Sequence, residues 1–200
     1  MSEIDASPQL VLASASPRRR ELLLAAGYEF EVHPADVDED DFPPQSLPSD
    51  VALGLARRKA EAMSERFPDR VVLAADTVVA FGDHILGKPH DAADARNMLR
   101  LLAGTTHVVI TGVAVIHTLA NFDKAAKVLS AVHMRPLTDG EVNAYVATNE
   151  WVGKAGGYGI QHKDPFVRKI GGDFSNIVGL PMKLATRLLL EAGIRGKPKT

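Results

Sequence analysis

Cysteine is absent from this sequence, and its absence removes several kinds of chemistry at once. Disulfide bonds, thiolate metal sites and thiol nucleophiles are all excluded. A chain without disulfides suits a reducing compartment, so we expect a cytoplasmic location. Seven histidines are present, but they are dispersed and form no H-E-x-x-H motif, which argues against a zinc site.

Long apolar runs and a strong excess of one charge are also missing. No stretch of about 18 apolar residues occurs, so we expect no membrane span. Residues 1–9 are polar and lack the apolar centre of a signal peptide. The formal net charge is −2, so the overall electrostatics do not favour nucleic acid as a partner, and any basic site must be local.

Three familiar motifs of nucleotide and hydrolase chemistry are incomplete. Residues 153–159 are rich in glycine and suit a flexible substrate loop, yet they lack the G-x-G-x-x-G order of a dinucleotide site. Ser14 and Ser16 have no G-x-S-x-G setting, which argues against a serine hydrolase. Residues 82–88 match the start of a P-loop, but Pro89 stands where Ser or Thr should bind Mg²⁺, so we reject a P-loop protein.

The composition is typical of a globular protein with one sizeable domain. The chain has 200 residues, 46% of them hydrophobic. We predict a single domain over residues 1–200, compatible with two lobes around a cleft, and a frayed tail over residues 194–200. Apolar β-type runs alternate with helical patterns, which indicates the α/β class. Neighbouring β-type runs at residues 107–117 and 124–134 predict an antiparallel pair and therefore a mixed sheet.

Two further helices can be located from their capping residues. Ser49 precedes a helical pattern over about residues 50–66, and serine commonly caps a helix. Thr138 and Glu141 have the spacing of a capping box, which predicts a helix from there to about residue 148.

The segment around Ser16 is the most informative part of the chain. An apolar strand, predicted at about residues 9–13, precedes Ser16, which suits a helix N-cap, and Pro17 suits the first helical position. Arg18 and Arg19 follow in the first turn, where cations are disfavoured because the helix dipole and the free N–H groups favour negative charge. This arrangement makes sense when an anion binds there, and a phosphate is the natural candidate.

Asp76 is the sharpest single candidate for chemistry. It interrupts an apolar strand predicted over residues 71–80, and a carboxylate there is costly unless it is paired or ligates a metal. One interpretation is structural: the side chain caps a turn or pairs with an arginine. The other is functional, as a metal ligand or a general base. The residue pattern alone leaves both open.

Three other charged residues also have a solvated and a functional interpretation. Lys59 lies in a predicted helix, where Arg57 and Glu61 suit a surface pair at i,i+4 spacing. Lys88 is either an exposed turn lysine or an isolated phosphate contact. Glu39 belongs to an acidic loop that is either solvated or brings a carboxylate to Mg²⁺.

Several of these segments occur together in the order of one known pattern. The chain resembles the Maf family of nucleoside triphosphate pyrophosphatases from about residue 9 to residue 192. The motifs that carry the resemblance are Ser14-Ala15-Ser16-Pro17-Arg18-Arg19, Asp38-Glu39, Lys59, Ala75-Asp76-Thr77, Gly87-Lys88-Pro89, Gly159-Ile160-Gln161 and Val178-Gly179-Leu180-Pro181. Each motif alone is modest, but their joint occurrence is specific.

The resemblance implies a fold and a reaction. The fold is ITPase-like: an elongated, twisted mixed β-sheet with flanking helices and two lobes around a central cleft. The reaction is hydrolysis of a nucleoside triphosphate to the monophosphate and pyrophosphate, with a divalent metal cation, Mg²⁺ or Mn²⁺. The family also suggests a homodimer.

The resemblance also implies roles for individual residues. Asp76 matches the proton acceptor and, with Glu39, the metal ligands. The positions that match phosphate- and metal-site residues are Ser16, Arg19, Glu39, Lys59 and Lys88. The positions that match base-preference residues are Arg18, Thr77 and Gln161, a combination seen in the branch that acts on dTTP and UTP. The branch that acts on 7-methyl-GTP usually has an aromatic residue in place of Arg18.

A second interpretation belongs to another functional class. The chain is then a regulatory nucleotide-binding protein that inhibits septum formation through partners, the phenotype from which the family name derives. This interpretation predicts tight nucleotide binding without turnover and a partner surface outside the cleft. The presence of Asp76, Glu39 and both lysines favours the catalytic interpretation, although the two are not exclusive.

Overall fold

Strands and helices alternate along much of the chain, as the sequence pattern predicts. The computed structural model describes residues 9–39, 42–43, 45–82, 84–160 and 166–197. The strands are β1 (Leu10–Leu12), β2 (Glu31–Val32), β3 (Val71–Phe81), β4 (His84–Leu86), β5 (Thr106–His117), β6 (Phe122–Met134) and β7 (Val167–Gly171). The helices are α1 (Pro17–Ala25), α2 (Pro48–Arg66), α3 (Ala92–Leu102), α4 (Asp139–Ala147), α5 (Phe174–Val178) and α6 (Met182–Glu191), with one 3₁₀ turn, Ala155–Gly157. Within these described ranges, no helix is both long and apolar enough to cross a membrane.

The strands of the described residues form one mixed sheet. Its order is β2-β1-β3-β5-β6-β7, and β4 pairs with β3 off this path. β1 runs parallel to β2 and β3, whereas β3, β5, β6 and β7 are antiparallel neighbours. The predicted antiparallel pair is confirmed, since β5 and β6 pair from Thr106↔His133 to His117↔Phe122. The predicted α/β class with a mixed sheet is therefore confirmed.

β3 lies inside the sheet, and its two edges are used differently. Along one edge, its residues 72–80 pair with β5. Along the other edge, β1 pairs with residues 71–73 and β4 pairs with residues 79–81. Among the described residues, no strand pairs with residues 74–78 on that second edge. The sheet therefore has a gap between β1 and β4, and Asp76 lies in the middle of it.

Helices cover both faces of the sheet beside this gap. On one face, Ala56 of α2 packs in the same apolar cluster as Ala74 of β3. On the opposite face, Leu73 of β3 packs with Leu23 of α1 and Leu188 of α6. Full burial of a leucine side chain stabilises a fold by roughly 1.5–3 kcal/mol, so these clusters fix both helix layers against β3.

Gly112 of β5 allows α2 to lie close to the sheet. It pairs directly with Asp76, and a Cβ at position 112 would lie 2.3 Å from the carbonyl oxygen of Ala52 in α2. Ala52 lies about two helical turns before Lys59, on the same side of the helix. The missing side chain at position 112 therefore helps to set how closely Lys59 approaches β3.

The helix starts follow the capping residues only in part. Thr138 and Glu141 form the predicted capping box: the Thr138 hydroxyl accepts from the Glu141 amide, and the Glu141 carboxylate accepts from the Thr138 amide. The prediction that Ser49 caps α2 is wrong. That helix begins at Pro48, with Leu47 as the N-cap, because proline suits the first helical position.

Residues 194–197, which belong to the predicted tail, make contacts with distant parts of the protein. Ile194 packs against the apolar cluster around α6, and the Lys197 amide donates to the Gly27 carbonyl at 2.8 Å. The Lys197 ammonium also pairs with Glu29 at 2.5 Å. These long-range contacts hold the segment against the end of α1. Residues 198–200 lie outside the described residues.

We predict that Gly112→Ala destabilises the fold. The added methyl group has no room against the α2 backbone, and overpacking of a close-packed core costs about 1–3 kcal/mol. Urea unfolding measures the change in the free energy of unfolding. Gly140→Ala in α4 is the control, because its Cβ would meet only the Thr138 hydroxyl, at 3.9 Å. Equal stability of the two variants would contradict the close approach of α2.

Candidate active site

A cavity of about 440 Å³ opens at the gap in the sheet. Its walls come from segments that are far apart in the sequence: the β1–α1 loop, α2, the middle of β3, residues 152–160 and the end of α5. The sequence-predicted residues that line it are Ser16, Arg18, Arg19, Glu39, Lys59, Asp76, Thr77 and Lys88. The remaining predicted residue, Gln161, lies outside the described residues.

Asp76 and Thr77 reach this cavity from opposite faces of β3. Consecutive side chains of a strand point to opposite faces of the sheet. Asp76 points to the α2 side and bonds Lys59, whereas Thr77 points to the other side and bonds Arg19 of α1. Both line one cavity because the β3 edge beside them has no strand partner in the described part of the chain.

The ammonium group of Lys59 lies between two carboxylates. Its Nζ is 2.6 Å from Asp76 Oδ1 and 2.6 Å from Glu39 Oε1. Lys59 and Asp76 are each only 6% exposed, so their ion pair is buried. Of the two interpretations of Lys59, the solvated helix face is therefore wrong, although Arg57 and Glu61 do form the predicted i,i+4 pair at 3.6 Å.

Glu39 connects Lys59 to Lys88 at the more exposed end of this cluster. Lys88 Nζ donates to both carboxylate oxygens of Glu39, at 2.9 and 3.2 Å. Burial raises the pKa of Glu39, but hydrogen bonds from Lys59 and Lys88 outweigh that effect and hold the pKa at about 2. Glu39 is therefore ionised at neutral pH. The Lys88 side chain is 54% exposed, so a ligand in solution can reach its ammonium group.

Arg19 presents a positive charge that neutral groups hold in place. Its Nε donates to the Gly179 carbonyl at 2.8 Å, its Nη1 to Ser14 Oγ at 2.9 Å and its Nη2 to Thr77 Oγ1 at 3.1 Å. Burial lowers the pKa of Arg19, and the nearby Asp76 charge opposes this shift. A guanidinium group stays protonated at neutral pH. The site thus holds an oriented cation whose hydrogen-bond partners leave its charge uncompensated, which suits an anionic ligand.

Arg18 and Ser16 line the cavity without joining the charge cluster. Arg18 Nη2 donates to the Gly153 carbonyl at 3.1 Å, which links α1 to the glycine-rich segment. Burial lowers the pKa of Arg18, and Glu21 opposes the shift. Ser16 is the N-cap of α1, as predicted, but its side chain forms no capping hydrogen bond.

Tyr158 lines another part of the cavity and is held by a buried histidine. The Tyr158 hydroxyl lies 2.5 Å from His107 Nε2, and the two rings meet edge to face. Burial, reinforced by His133, lowers the pKa of His107 to about 4. The imidazole is therefore neutral at neutral pH, so the His107–Tyr158 pair adds no charge to the site.

Glu39 and Asp76 fit the donor set of a divalent cation. Mg²⁺ in enzymes is commonly bound through a small number of carboxylates together with substrate phosphates and water. These two carboxylates approach each other closely enough to share one ammonium group. The described residues contain no cluster of three or more His, Asp or Glu side chains suited to a metal. The carboxylate pair therefore suits a cation that binds together with a phosphorylated ligand.

Three groups of the site were not assigned roles from the sequence. Ser14 and Gly179 belong to recognised motifs, but their task of orienting Arg19 requires the fold. Thr111, which contacts Thr77 at 2.9 Å, was missed altogether. The sequence feature that could have identified Thr111 is the one that identified Asp76: each is a polar residue inside a long apolar strand.

Comparison with known proteins places this arrangement in a family. A sequence profile of Maf-like proteins matches residues 9–192, which is nearly the whole chain. The chain belongs to the Maf family. The resemblance that the motifs indicated is therefore confirmed. In this Maf chain the described residues of those motifs lie in or beside one cavity, and Gln161 lies outside the described residues.

Curated relatives match this Maf chain over almost their full length. A dTTP/UTP pyrophosphatase of Anaeromyxobacter dehalogenans (strain 2CP-C) is 47% identical, with 94% of this chain and 95% of the relative covered. Proteins with the same name from Bacillus cereus (strain AH820) and Bacillus anthracis are each 44% identical, with 93% of this chain and 96% of the relative covered.

We predict that Lys59→Met destabilises this Maf chain far more than Lys88→Met. Loss of the Lys59 ammonium leaves Asp76 buried without its partner, and breaking a buried ion pair in this way costs about 3–5 kcal/mol. Loss of Lys88 removes a half-exposed pair worth at most about 1 kcal/mol. Urea unfolding at neutral pH gives both values. A similar loss of stability in the two variants would contradict the buried pairing.

Proposed function

We propose that this Maf-family protein hydrolyses dTTP and UTP to the nucleoside monophosphate and pyrophosphate. The proposal rests on the buried Asp76 carboxylate, which shares one cavity with Lys59, Lys88 and Arg19. Relatives that are 44% and 47% identical have the name dTTP/UTP pyrophosphatase. The chemistry of the cavity and the names of the relatives support the same reaction class, a nucleoside triphosphate diphosphatase.

The basic side chains match the charge of a triphosphate. A nucleoside triphosphate carries roughly four negative charges at neutral pH. Arg19 is already oriented by neutral groups, and Lys88 can exchange Glu39 for a phosphate oxygen at small cost, since half-exposed ion pairs contribute only about 0–1 kcal/mol. These cations stabilise the pyrophosphate leaving group as the bond between the α- and β-phosphates breaks.

Asp76 has one carboxylate oxygen held and one available. Lys59 bonds Oδ1, and no hydrogen bond to Oδ2 occurs among the described residues. We assign to Oδ2 the tasks of orienting a water toward the α-phosphorus and accepting its proton. The bond from Lys59 keeps the carboxylate in one orientation during this transfer.

A divalent cation, Mg²⁺ or Mn²⁺, completes the proposed site. Glu39 and Asp76 would hold it together with oxygens of the substrate phosphates. When bound, such a cation supplies neutralisation of phosphate charge and acidification of the attacking water. Lys59 compensates part of the negative charge of the same two carboxylates, which allows them to lie so close together.

Base selection is assigned to Arg18, Thr77 and Gln161, in line with the resemblance to the branch that acts on dTTP and UTP. Thr77 lies on the face of β3 opposite Asp76, so recognition of the base and attack at phosphorus use different sides of the strand. Hydrogen bonds to the base edge reject bases that lack the matching groups.

We assign the reaction to the cytoplasm, where free nucleoside triphosphates are found. Hydrolysis of a free nucleotide requires neither a nucleic acid nor a membrane as partner. The homodimer suggested by the family resemblance stays a prediction.

We predict that Asp76→Asn keeps the fold and lowers kcat for UTP by at least about 100-fold, because an amide cannot accept the proton. Chromatography follows the release of UMP and pyrophosphate. In ¹⁸O-labelled water, attack at the α-phosphorus places the label in UMP rather than in pyrophosphate. Asp123→Asn is the matched control, because that carboxylate lies on β6 and pairs with Arg57 outside the cavity.

Three results would contradict the hydrolytic proposal. These are near-wild-type turnover by Asp76→Asn, orthophosphate as the first product, and tight UTP binding by the wild-type protein without any turnover. The last result is the one that the regulatory interpretation predicts, so a binding measurement on the same sample separates the two.

We predict that chelation abolishes the activity and that Mg²⁺ or Mn²⁺ restores it. Glu39→Gln should raise the Mn²⁺ concentration for half-maximal activity by at least about tenfold, because it removes a charged ligand. Electron paramagnetic resonance of Mn²⁺ with a bound nucleotide analogue measures the affinity independently of turnover. Glu61→Gln on the exposed side of α2 is the control. Full activity in EDTA, or equal Mn²⁺ requirements in the two variants, would contradict the metal assignment.

A further inference from the structure

A chain of hydrogen bonds runs from Thr77 into the protein interior. Thr77 Oγ1 lies 2.9 Å from Thr111 Oγ1, and the two residues are direct partners across β3 and β5. Thr111 in turn donates to the main-chain carbonyl of Asn176 at 3.1 Å. Thr111 and Asn176 are both 0% exposed. Of these three hydrogen-bonded residues, the proposed hydrolysis uses only Thr77.

Asn176 fixes the inner end of the chain of hydrogen bonds. Its Nδ2 donates to the Val109 carbonyl and to Ser130 Oγ, each at 3.0 Å. These bonds tie the short helix α5 to β5 and β6. The main-chain carbonyl of Asn176 is therefore held at a fixed position, from which it accepts the Thr111 proton.

The hydroxyl protons of Thr77 and Thr111 are both used in hydrogen bonds within the protein. A hydroxyl group has one proton to donate and two lone pairs with which to accept. The Asn176 carbonyl only accepts, so Thr111 uses its proton there, and the 2.9 Å contact requires Thr77 to donate to Thr111. Arg19 only donates, so Thr77 accepts from Arg19 Nη2 at 3.1 Å. Thr77 therefore has one lone pair left with which to accept from a ligand, but no proton left to donate to it.

A second contact of Thr77 has the same consequence. Thr77 Oγ1 is also 3.5 Å from the Gly179 carbonyl, a weaker contact because of its length. A proton donated to Gly179 is likewise used within the protein. In both arrangements Thr77 has no proton for a ligand in the cavity that it lines.

The residue type at position 111 also points to a task for its hydroxyl. Valine has the shape of threonine and suits a buried strand, whereas a buried hydroxyl is unfavourable unless it is hydrogen-bonded. The neighbours Val109, Ile110 and Val113 of β5 are apolar and buried. Thr111 therefore brings a polar group into a strand that packs well without one.

We propose that Thr111 is a positioning residue that fixes Thr77 as a hydrogen-bond acceptor toward the nucleotide base. This inference rests on the proposed function and deepens it. Uracil and thymine carry a proton on N3, which can donate to Thr77 Oγ1. Cytosine has an unprotonated N3, so the same approach would bring two lone pairs together. The site thus distinguishes uracil and thymine from cytosine by whether the ring nitrogen N3 carries a proton.

Two variants separate the hydroxyl of residue 111 from its packing. Thr111→Val keeps the shape and removes the hydroxyl, whereas Thr111→Ser keeps the hydroxyl and removes a methyl group. The probes are the α,β-imido analogues of UTP and CTP, which resist cleavage between the α- and β-phosphates. Isothermal titration calorimetry gives the dissociation constant of each analogue, and thermal melts verify that both variants are folded.

We expect the wild-type protein to bind the UTP analogue more tightly than the CTP analogue. In Thr111→Val this preference should fall by about tenfold, the scale of one hydrogen bond, because only the long 3.5 Å contact to the Gly179 carbonyl then competes for the Thr77 proton, which can turn to N3 of cytosine. In Thr111→Ser the preference should stay at the wild-type value. A loss of preference in Thr111→Val but not in Thr111→Ser would show that the Thr111 hydroxyl, rather than packing at this position, sets the preference for the UTP analogue.

Several outcomes would overturn this inference: an unchanged preference in Thr111→Val, an equal change in both variants, equal binding of both analogues by the wild-type protein, or a uniform weakening of both analogues in Thr111→Val. The proposed function is judged separately by pyrophosphate release from UTP. A protein that shows the expected binding pattern but releases no pyrophosphate would refute the hydrolytic proposal and still support the role of Thr111.

Discussion

The buried ammonium group of Lys59 is the interaction on which the site depends. It compensates the charge of Asp76 inside the sheet and holds Glu39 against the same point. Without such a partner, an ionised carboxylate in an apolar strand is strongly unfavourable. The candidate site therefore depends on how closely α2 approaches β3. The absence of a side chain at Gly112 and the small side chains of α2 allow that close approach, which brings Lys59 within reach of β3.

The interrupted edge of β3 is the second constraint. In a fully paired strand, neighbouring residues face separate compartments on the two sides of the sheet. Here β1 and β4 leave the middle of the strand without a partner among the described residues, so Asp76 and Thr77 border the same space. One cavity can then combine a carboxylate–lysine cluster from one face with Arg19 and a threonine pair from the other.

The parts of this site that could be predicted from the sequence are those that break a local rule. Arginines at a helix N-terminus and Asp76 in an apolar strand are unfavourable locally, and so they can be recognised without a structure. Lys59 could not be placed by its own pattern, because the helix spacing fits a solvated face equally well. The contacts of residues 194–197 could not be predicted either, because the hydrogen bond from Lys197 to Gly27 joins residues too distant in sequence for any local pattern to show.

The placement of Asp76 and Thr77 on opposite faces of one strand has an evolutionary consequence. In this strand, the surroundings of Thr77 come from α1 and β5, whereas those of Asp76 come from α2. Substitutions at β5 positions around Thr77 can therefore alter the proposed base contact while Asp76, Lys59 and Arg19 are inherited unchanged.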